Sequence, residues 1–175
     1  MTKRQNHQHH QRMTLGLIGF LGLLTLMYQE IHTWPDDRLH VHILDVGQGD
    51  SIFLISPSGK QILMDGGPDF SALQGIAGHM SFFDRTIDLL VLSHSDLDHI
   101  AAFPEIMGRY RIGAILLSGI DTQQPQYQKL LTLIAENNVP VLIADSGKDI
   151  VFDDGLTLDV IWPSGVLPKK TNDAS

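Results

Sequence analysis

The chain has no cysteine, so neither a disulfide framework nor a thiolate metal site is open to it. That absence leaves the compartment undecided, because disulfide-free proteins occur on both sides of membranes. No histidine follows His99, which confines imidazole chemistry to the first 99 of 175 residues. No acidic residue precedes Glu30, and Lys3, Arg4 and Arg12 lie before it, so residues 30–175 hold all 20 Asp and Glu against nine of the 12 Lys and Arg. This balance argues against broad electrostatic capture of nucleic acid, which needs a basic face to displace counterions. Internal repeats and low-complexity tracts are also missing. What is present, 43% hydrophobic and 18% charged residues, suits one globular domain with some extra sequence.

The extra sequence stands first. Residues 1–12 form a basic polar tail, and Met13 to Tyr28 are uncharged and mostly apolar. As a helix this run spans ~24 Å, somewhat short of a ~30 Å hydrocarbon core but extendable by its flanks. No small-x-small cleavage pattern follows in Gln29-Glu30-Ile31-His32-Thr33-Trp34, so the run reads as an uncleaved transmembrane anchor in contact with lipid, with a removed signal as the alternative. The basic flank predicts a cytoplasmic N-terminus and a single pass through the cytoplasmic membrane, with residues 30–175 outside. His7, His9 and His10 belong to the tail, as solvated side chains or a weak metal-binding cluster. Residues 29–38, with Pro35, Asp36 and Asp37, read as a linker, and 39–175 as the folded domain.

Alternation from Leu39 to Asp45 predicts a strand, with His40 and His42 on a solvated face. Ser51 to Ser56 and Gln61 to Met64 follow as strands around the turn Pro57-Ser58-Gly59-Lys60. Phe70 to Phe83 looks helical but broken by Gly75 and Gly78, with His79 on the surface. Strands are expected over Ile87 to Ser93, Ile112 to Leu117, Val139 to Ala144 and Leu156 to Trp162. Helices are expected over Ile100 to Tyr110, interrupted by Pro104, and over Gln124 to Asn138. This order indicates an α/β or α+β layered domain.

The centre of the pattern is Ser93-His94-Ser95-Asp96-Leu97-Asp98-His99, four possible metal ligands within six residues between a strand and a helix. On a regular helix Asp98 and His99 diverge by ~100°, so both face one site only in a loop or first turn. Helix capping by Ser95-x-x-Asp98 is a second, compatible reading, but it leaves both histidines and one carboxylate unexplained.

His94-x-Asp96-x-Asp98-His99 after an apolar strand resembles the His-x-His-x-Asp-His signature of the metallo-β-lactamase fold superfamily, with Asp96 departing from the general pattern. Leu44-Asp45-Val46-Gly47-Gln48-Gly49-Asp50-Ser51 and Ile62-Leu63-Met64-Asp65-Gly66-Gly67-Pro68 narrow the resemblance to the hydrolase-like domain of ComEC-type competence DNA-uptake proteins, where Asp at position 96 is usual. Ala101-Ala102 stands where that family commonly has two glycines. The resemblance runs from about Val41 to the C-terminus. It implies the first half of an αββα sandwich, a metal-dependent hydrolase and phosphodiesters of nucleic acid as substrate.

By the same resemblance, His94, Asp96, Asp98 and His99 are metal ligands, Asp98 also orients the attacking water, Asp65 braces the metal-binding loop, and Gln48 and Asp50 support its mouth. One or two divalent cations are expected, Zn²⁺ or Mn²⁺ foremost; Asp96 adds a hard oxygen that favours Mn²⁺ or Mg²⁺ without excluding Zn²⁺. The superfamily adds downstream ligands that are not recognisable here, and Asn172-Asp173-Ala174-Ser175 resembles the lead into a further core strand. A truncated domain is therefore expected, silent on its own and needing a missing C-terminal half or a channel subunit as partner. A metal-binding or interaction module without catalysis, and a hydrolase of a small ester or lactam, are the alternatives.

Overall fold

A computed structural model of the chain describes residues 3–32, 34–120 and 122–163. The side chains of His7 and His9 and the final segment Asn172-Asp173-Ala174-Ser175 lie outside what is described. Helix α1 (Lys3–His32) is continuous. Within it His10–Tyr28 is long and apolar enough to cross a membrane, and none of that stretch is buried against protein.

The domain is built on one six-stranded sheet whose spatial order follows the chain: β1 (His40–Ile43), β2 (Ile52–Ile55), β3 (Gln61–Met64), β4 (Thr86–Leu92), β5 (Arg111–Leu117) and β6 (Val141–Ile143). The first three pair antiparallel through short turns, and β3 to β6 pair parallel. Parallel neighbours need crossovers. These are supplied by α2 (Ser71–His79), then α3 (Leu97–Ile100) with α4 (Phe103–Arg109), then α5 (Pro125–Glu136). Pro104 sits in the first turn of α4, where its missing N–H costs nothing, so the expected interruption is a division into two helices.

Period-two alternation gives the sheet two apolar faces. One carries Phe53, Leu63, Leu90 and Ile115, packed with Ile76 of α2, Phe103 and Ile106 of α4, and Leu130 and Ile134 of α5. The other carries Leu54, Ile62, Leu89, Val91 and Leu116 beneath a hairpin of β7 (Ile150–Val151) and β8 (Thr157–Leu158). Helices, sheet and hairpin thus make the layered α/β domain that the element order implies.

Three expectations need correction. Helix α2 runs unbroken through Gly75 and Gly78. At Gly75 an added Cβ would lie 2.9 Å from Leu44 Cδ2, so this glycine lets helix and core approach rather than ending the helix. The strand expected over Leu156 to Trp162 shrinks to Thr157–Leu158, because Asp153-Asp154-Gly155 closes a tight hairpin in which Phe152 N donates to Leu156 O at 2.8 Å. The histidine face of β1 is half-buried, whereas Val41 and Ile43 are 54% and 78% exposed. Thr25 and Tyr28 of α1 with Gly78 and His79 of α2 cover the histidine side around a cavity of about 300 Å³. There His79, expected at the surface, stacks on His42 with ring centres 3.7 Å apart.

Candidate metal centre

The site lies beyond the carboxyl ends of parallel strands β3 and β4, where open α/β sheets place ligands. Register pairs Met64 with Val91, and Asp65 N donates to Val91 O at 2.9 Å, so Asp65 and Ser93 leave the sheet side by side. Asp65 adopts φ 56°, a left-handed conformation uncommon for a non-glycine residue and best tolerated by Asp and Asn. Its carboxylate is thereby turned under the following loop. Gly66 N donates to His99 O at 2.8 Å, which ties α3 to the end of β3.

Asp65 is nearly buried, and so is His99. One carboxylate oxygen of Asp65 accepts from Ser93 N at 2.9 Å. The other lies 2.5 Å from Ser93 Oγ and 2.9 Å from His99 Nδ1. An ionised carboxylate only accepts, so Ser93 Oγ and His99 Nδ1 both carry the shared hydrogen. Having donated to Asp65, Ser93 Oγ accepts from His94 Nδ1 at 2.9 Å. One buried carboxylate therefore sets the tautomer of both imidazoles, directly at His99 and through Ser93 at His94, and leaves Nε2 of each with a free lone pair.

Asp96 and Asp98 stand on the open side. Asp96 Oδ2 is 3.4 Å from His94 Nε2, and Asp98 Oδ1 is 3.9 Å from His99 Nε2. Asp98 and His99 share the first turn of α3, which lets adjacent residues approach one point. Asp96 is the N-cap residue and makes no side-chain capping bond, so the Ser95-x-x-Asp98 capping box does not form.

Gln48 and Asp50 are exposed in the β1–β2 loop, flanking Gly49. Gly49 has φ +75°, and a Cβ there would stand 2.1 Å from the backbone oxygen of Asp98. The loop thus abuts the motif through glycine, at a point where any side chain would collide with Asp98. Ser51 hydroxyl donates to Asp65 O at 2.9 Å and joins the same loop to the carboxylate's own backbone.

Atoms of Asp65, His94 and His99 fall within 4.8 Å of one another, a grouping that would make Asp65 a third metal ligand. Both of its oxygens already accept hydrogen bonds, one from Ser93 N and the other from Ser93 Oγ and His99 Nδ1, which suits Asp65 to bracing the two histidines. Two imidazoles with two nearby carboxylates are donor groups whose chemistry suits a divalent cation. Sequence reasoning missed Ser93. Its only signal was a hydroxyl placed between a buried strand and the first histidine.

Residues 44–165 match the family model described as the metallo-beta-lactamase superfamily. The endoribonuclease Ysh1 of Schizosaccharomyces pombe is 34% identical over 77 residues, 42% of this chain and 10% of that protein. ComE operon protein 3 of Bacillus subtilis is 24% identical over 152 residues, 77% of this chain and 20% of that protein. Competence protein ComA of Neisseria gonorrhoeae is 33% identical over 94 residues, 53% of this chain and 13% of that protein. The chain spans between about a tenth and a fifth of the length of these relatives.

Proposed function

The chain belongs to the metallo-β-lactamase superfamily, and from that premise we propose that it is the metal-binding part of a membrane-anchored hydrolase of the competence type, acting on phosphodiester bonds of nucleic acid. The observation that carries this reading is the buried carboxylate of Asp65, hydrogen-bonded to His99 Nδ1 directly and to His94 Nδ1 through Ser93, with the two imidazole rings 3.9 Å apart between centres. Metal-ligating histidines characteristically donate their other ring N–H to a carboxylate in this way. The relatives' names support the nucleic-acid reading: one is an endoribonuclease and two carry competence names.

In this proposal His94 and Asp96 help hold one divalent cation, and Asp98 and His99 a second. A bound cation supplies Lewis acidity and brings the pKa of a water towards ~7. Asp98, whose half-exposed carboxylate sits on the first turn of α3, would orient a water for attack by accepting its hydrogen bond. Asp65 and Ser93 keep the imidazoles from turning. Gln48 and Asp50, carried by the loop that abuts Asp98 through Gly49, line the approach.

The net acidity of residues 30–175 favours delivery of the strand by a channel subunit or further domain. Helix α1 serves as the anchor, its basic tail in the cytoplasm and the domain outside. The deciding experiment joins this chain to the downstream part of the Bacillus subtilis relative and offers phosphodiester, ester and lactam substrates with Mn²⁺ or Zn²⁺. Phosphodiester turnover, lost with chelator and in Asp98→Ala, is the expected result. Turnover of ester or lactam alone would overturn the substrate class, and metal binding with no turnover would leave an interaction module.

A further inference from the structure

The junction between α1 and the domain carries an unexplained group of exposed aromatics. Glu30, two positions past the end of the apolar stretch, reaches from α1 to the loop between α2 and β4. Its carboxylate accepts from Phe82 N at 2.8 Å and from the hydroxyl of Ser81. The loop is set on its other side by Met80, which is buried in the core. Between these fixed points Phe82 and Phe83 project, 47% and 74% exposed, edge to face with ring centres 5.2 Å apart. The Arg85 guanidinium lies 5.7 Å over Phe82. Tyr28 and Trp34 are exposed on the same stretch of chain.

We propose that Phe82 and Phe83, held beside the end of α1 by Glu30, form a second membrane contact that seats the domain on the lipid headgroup region. The inference rests on the anchoring of α1 proposed above. Two residues of helix advance ~3 Å along its axis, so the Glu30 clasp holds Phe82 at the level where the apolar surface of α1 ends. Aromatic side chains favour that depth, where a ring meets the acyl boundary and polar groups stay wet. An arginine beside them offers a planar donor array to a lipid phosphate. Continuity with the apolar surface of α1, rather than exposure alone, singles out lipid as the occupant. A span held only by a linker would let the domain swing freely; the clasp and the aromatic pair together fix its height.

The test uses the full chain, reconstituted in phosphatidylcholine vesicles, with one tryptophan at a time. Trp34 and Trp162 are the only native tryptophans, so replacing both by Phe provides a background for Phe83→Trp and for Leu21→Trp. Lipids brominated near the headgroup should quench Phe83→Trp at least twofold and deeper bromines should quench it less. Leu21→Trp should show the reverse order. Trp162, retained alone, should be unaffected. Adding Glu30→Ala should reduce quenching of Phe83→Trp while leaving Leu21→Trp unchanged. If Leu21→Trp is quenched and Phe83→Trp is not, α1 is anchored and the second contact is wrong. Should Leu21→Trp escape quenching, the anchoring fails and this inference falls with it. Shielding of Phe83→Trp from iodide without quenching by brominated lipid would assign the patch to a second copy of the chain and overturn the proposal.

Discussion

His99 Nδ1 and Asp65 Oδ2 lie 2.9 Å apart, and both residues are nearly buried although the loop that carries His99 is open to solvent. The pair joins the end of β3 to the first turn of α3 across 34 residues of chain. Removing the carboxylate's capacity to accept should therefore act on the ligands without touching them. Asp65→Asn keeps a side chain suited to φ 56° but turns one accepting oxygen into a donor. We expect affinity for Mn²⁺ or Zn²⁺ to fall about 10- to 100-fold, measured by titration calorimetry. Unchanged affinity would remove Asp65 from the site.

Ser93 is the relay between Asp65 and His94. Ser93→Ala leaves the Asp65–His99 bond in place and frees only the His94 ring. Its effect on affinity should be smaller than that of Asp65→Asn, with nitrogen NMR showing mixed tautomers at His94 and one tautomer at His99. A single tautomer at both rings in the variant would show that the hydroxyl does not act as a relay.

His94→Ala combined with His99→Ala removes both free lone pairs and should abolish measurable binding by residues of this loop. Asp96→Ala and Asp98→Ala each leave both imidazoles and should weaken binding less. Retention of wild-type affinity in the double variant would place the metal elsewhere.

Gly49 meets Asp98 backbone where no side chain fits. Gly49→Ala also has to hold φ +75°, which costs roughly 1–2 kcal/mol for a residue with a Cβ. A drop of at least ~2–4 °C in Tm is expected for a domain of this size. Because the displaced neighbour belongs to Asp98, metal affinity should fall with it. A neutral substitution would mean that the two loops move apart freely.

His42 gives the fold a pH dependence. Burial, then the neighbouring His79 and His40, holds its pKa below the ordinary histidine value of 6.5, while Asp36 engages His40 at 2.8 Å. A lowered folded pKa means that the unfolded chain takes the proton more readily. The contribution of neutral His42 is complete above about pH 6.5 and is lost as pH falls through its folded value. The urea midpoint should drop between pH 7.5 and pH 5 more in the wild type than in His42→Phe. An NMR midpoint for His42 above 6.5 would reverse the sign and refute this account.

The motif was legible because its four candidate ligands fall within six residues, and a strand ending at Leu92 had to deliver them together. Helix α5 was legible for a similar reason: Leu130 and Ile134, one turn apart, announce a buried stripe. The histidines of β1 were not. Period two says that His40 and His42 share a face, but which face is covered depends on how α1 and the end of α2 dock, which strand periodicity does not encode. Gly75 misled because breaking a helix and admitting Leu44 are indistinguishable in one letter. Ser93 escaped because its role exists only once Asp65, 28 residues earlier, lies beside it.

Among the described residues β1 bonds only to β2, and β6 only to β5. The short strand Val141–Ile143 is exposed along its whole length, and among the described residues no strand pairs with its outer side. Three residues make a short edge, yet its apolar side chains leave it open to pairing with extended segments of other molecules in concentrated samples. A single charge guards against it. Val141→Lys should hold the domain monodisperse in light scattering at concentrations where the unmodified chain begins to associate.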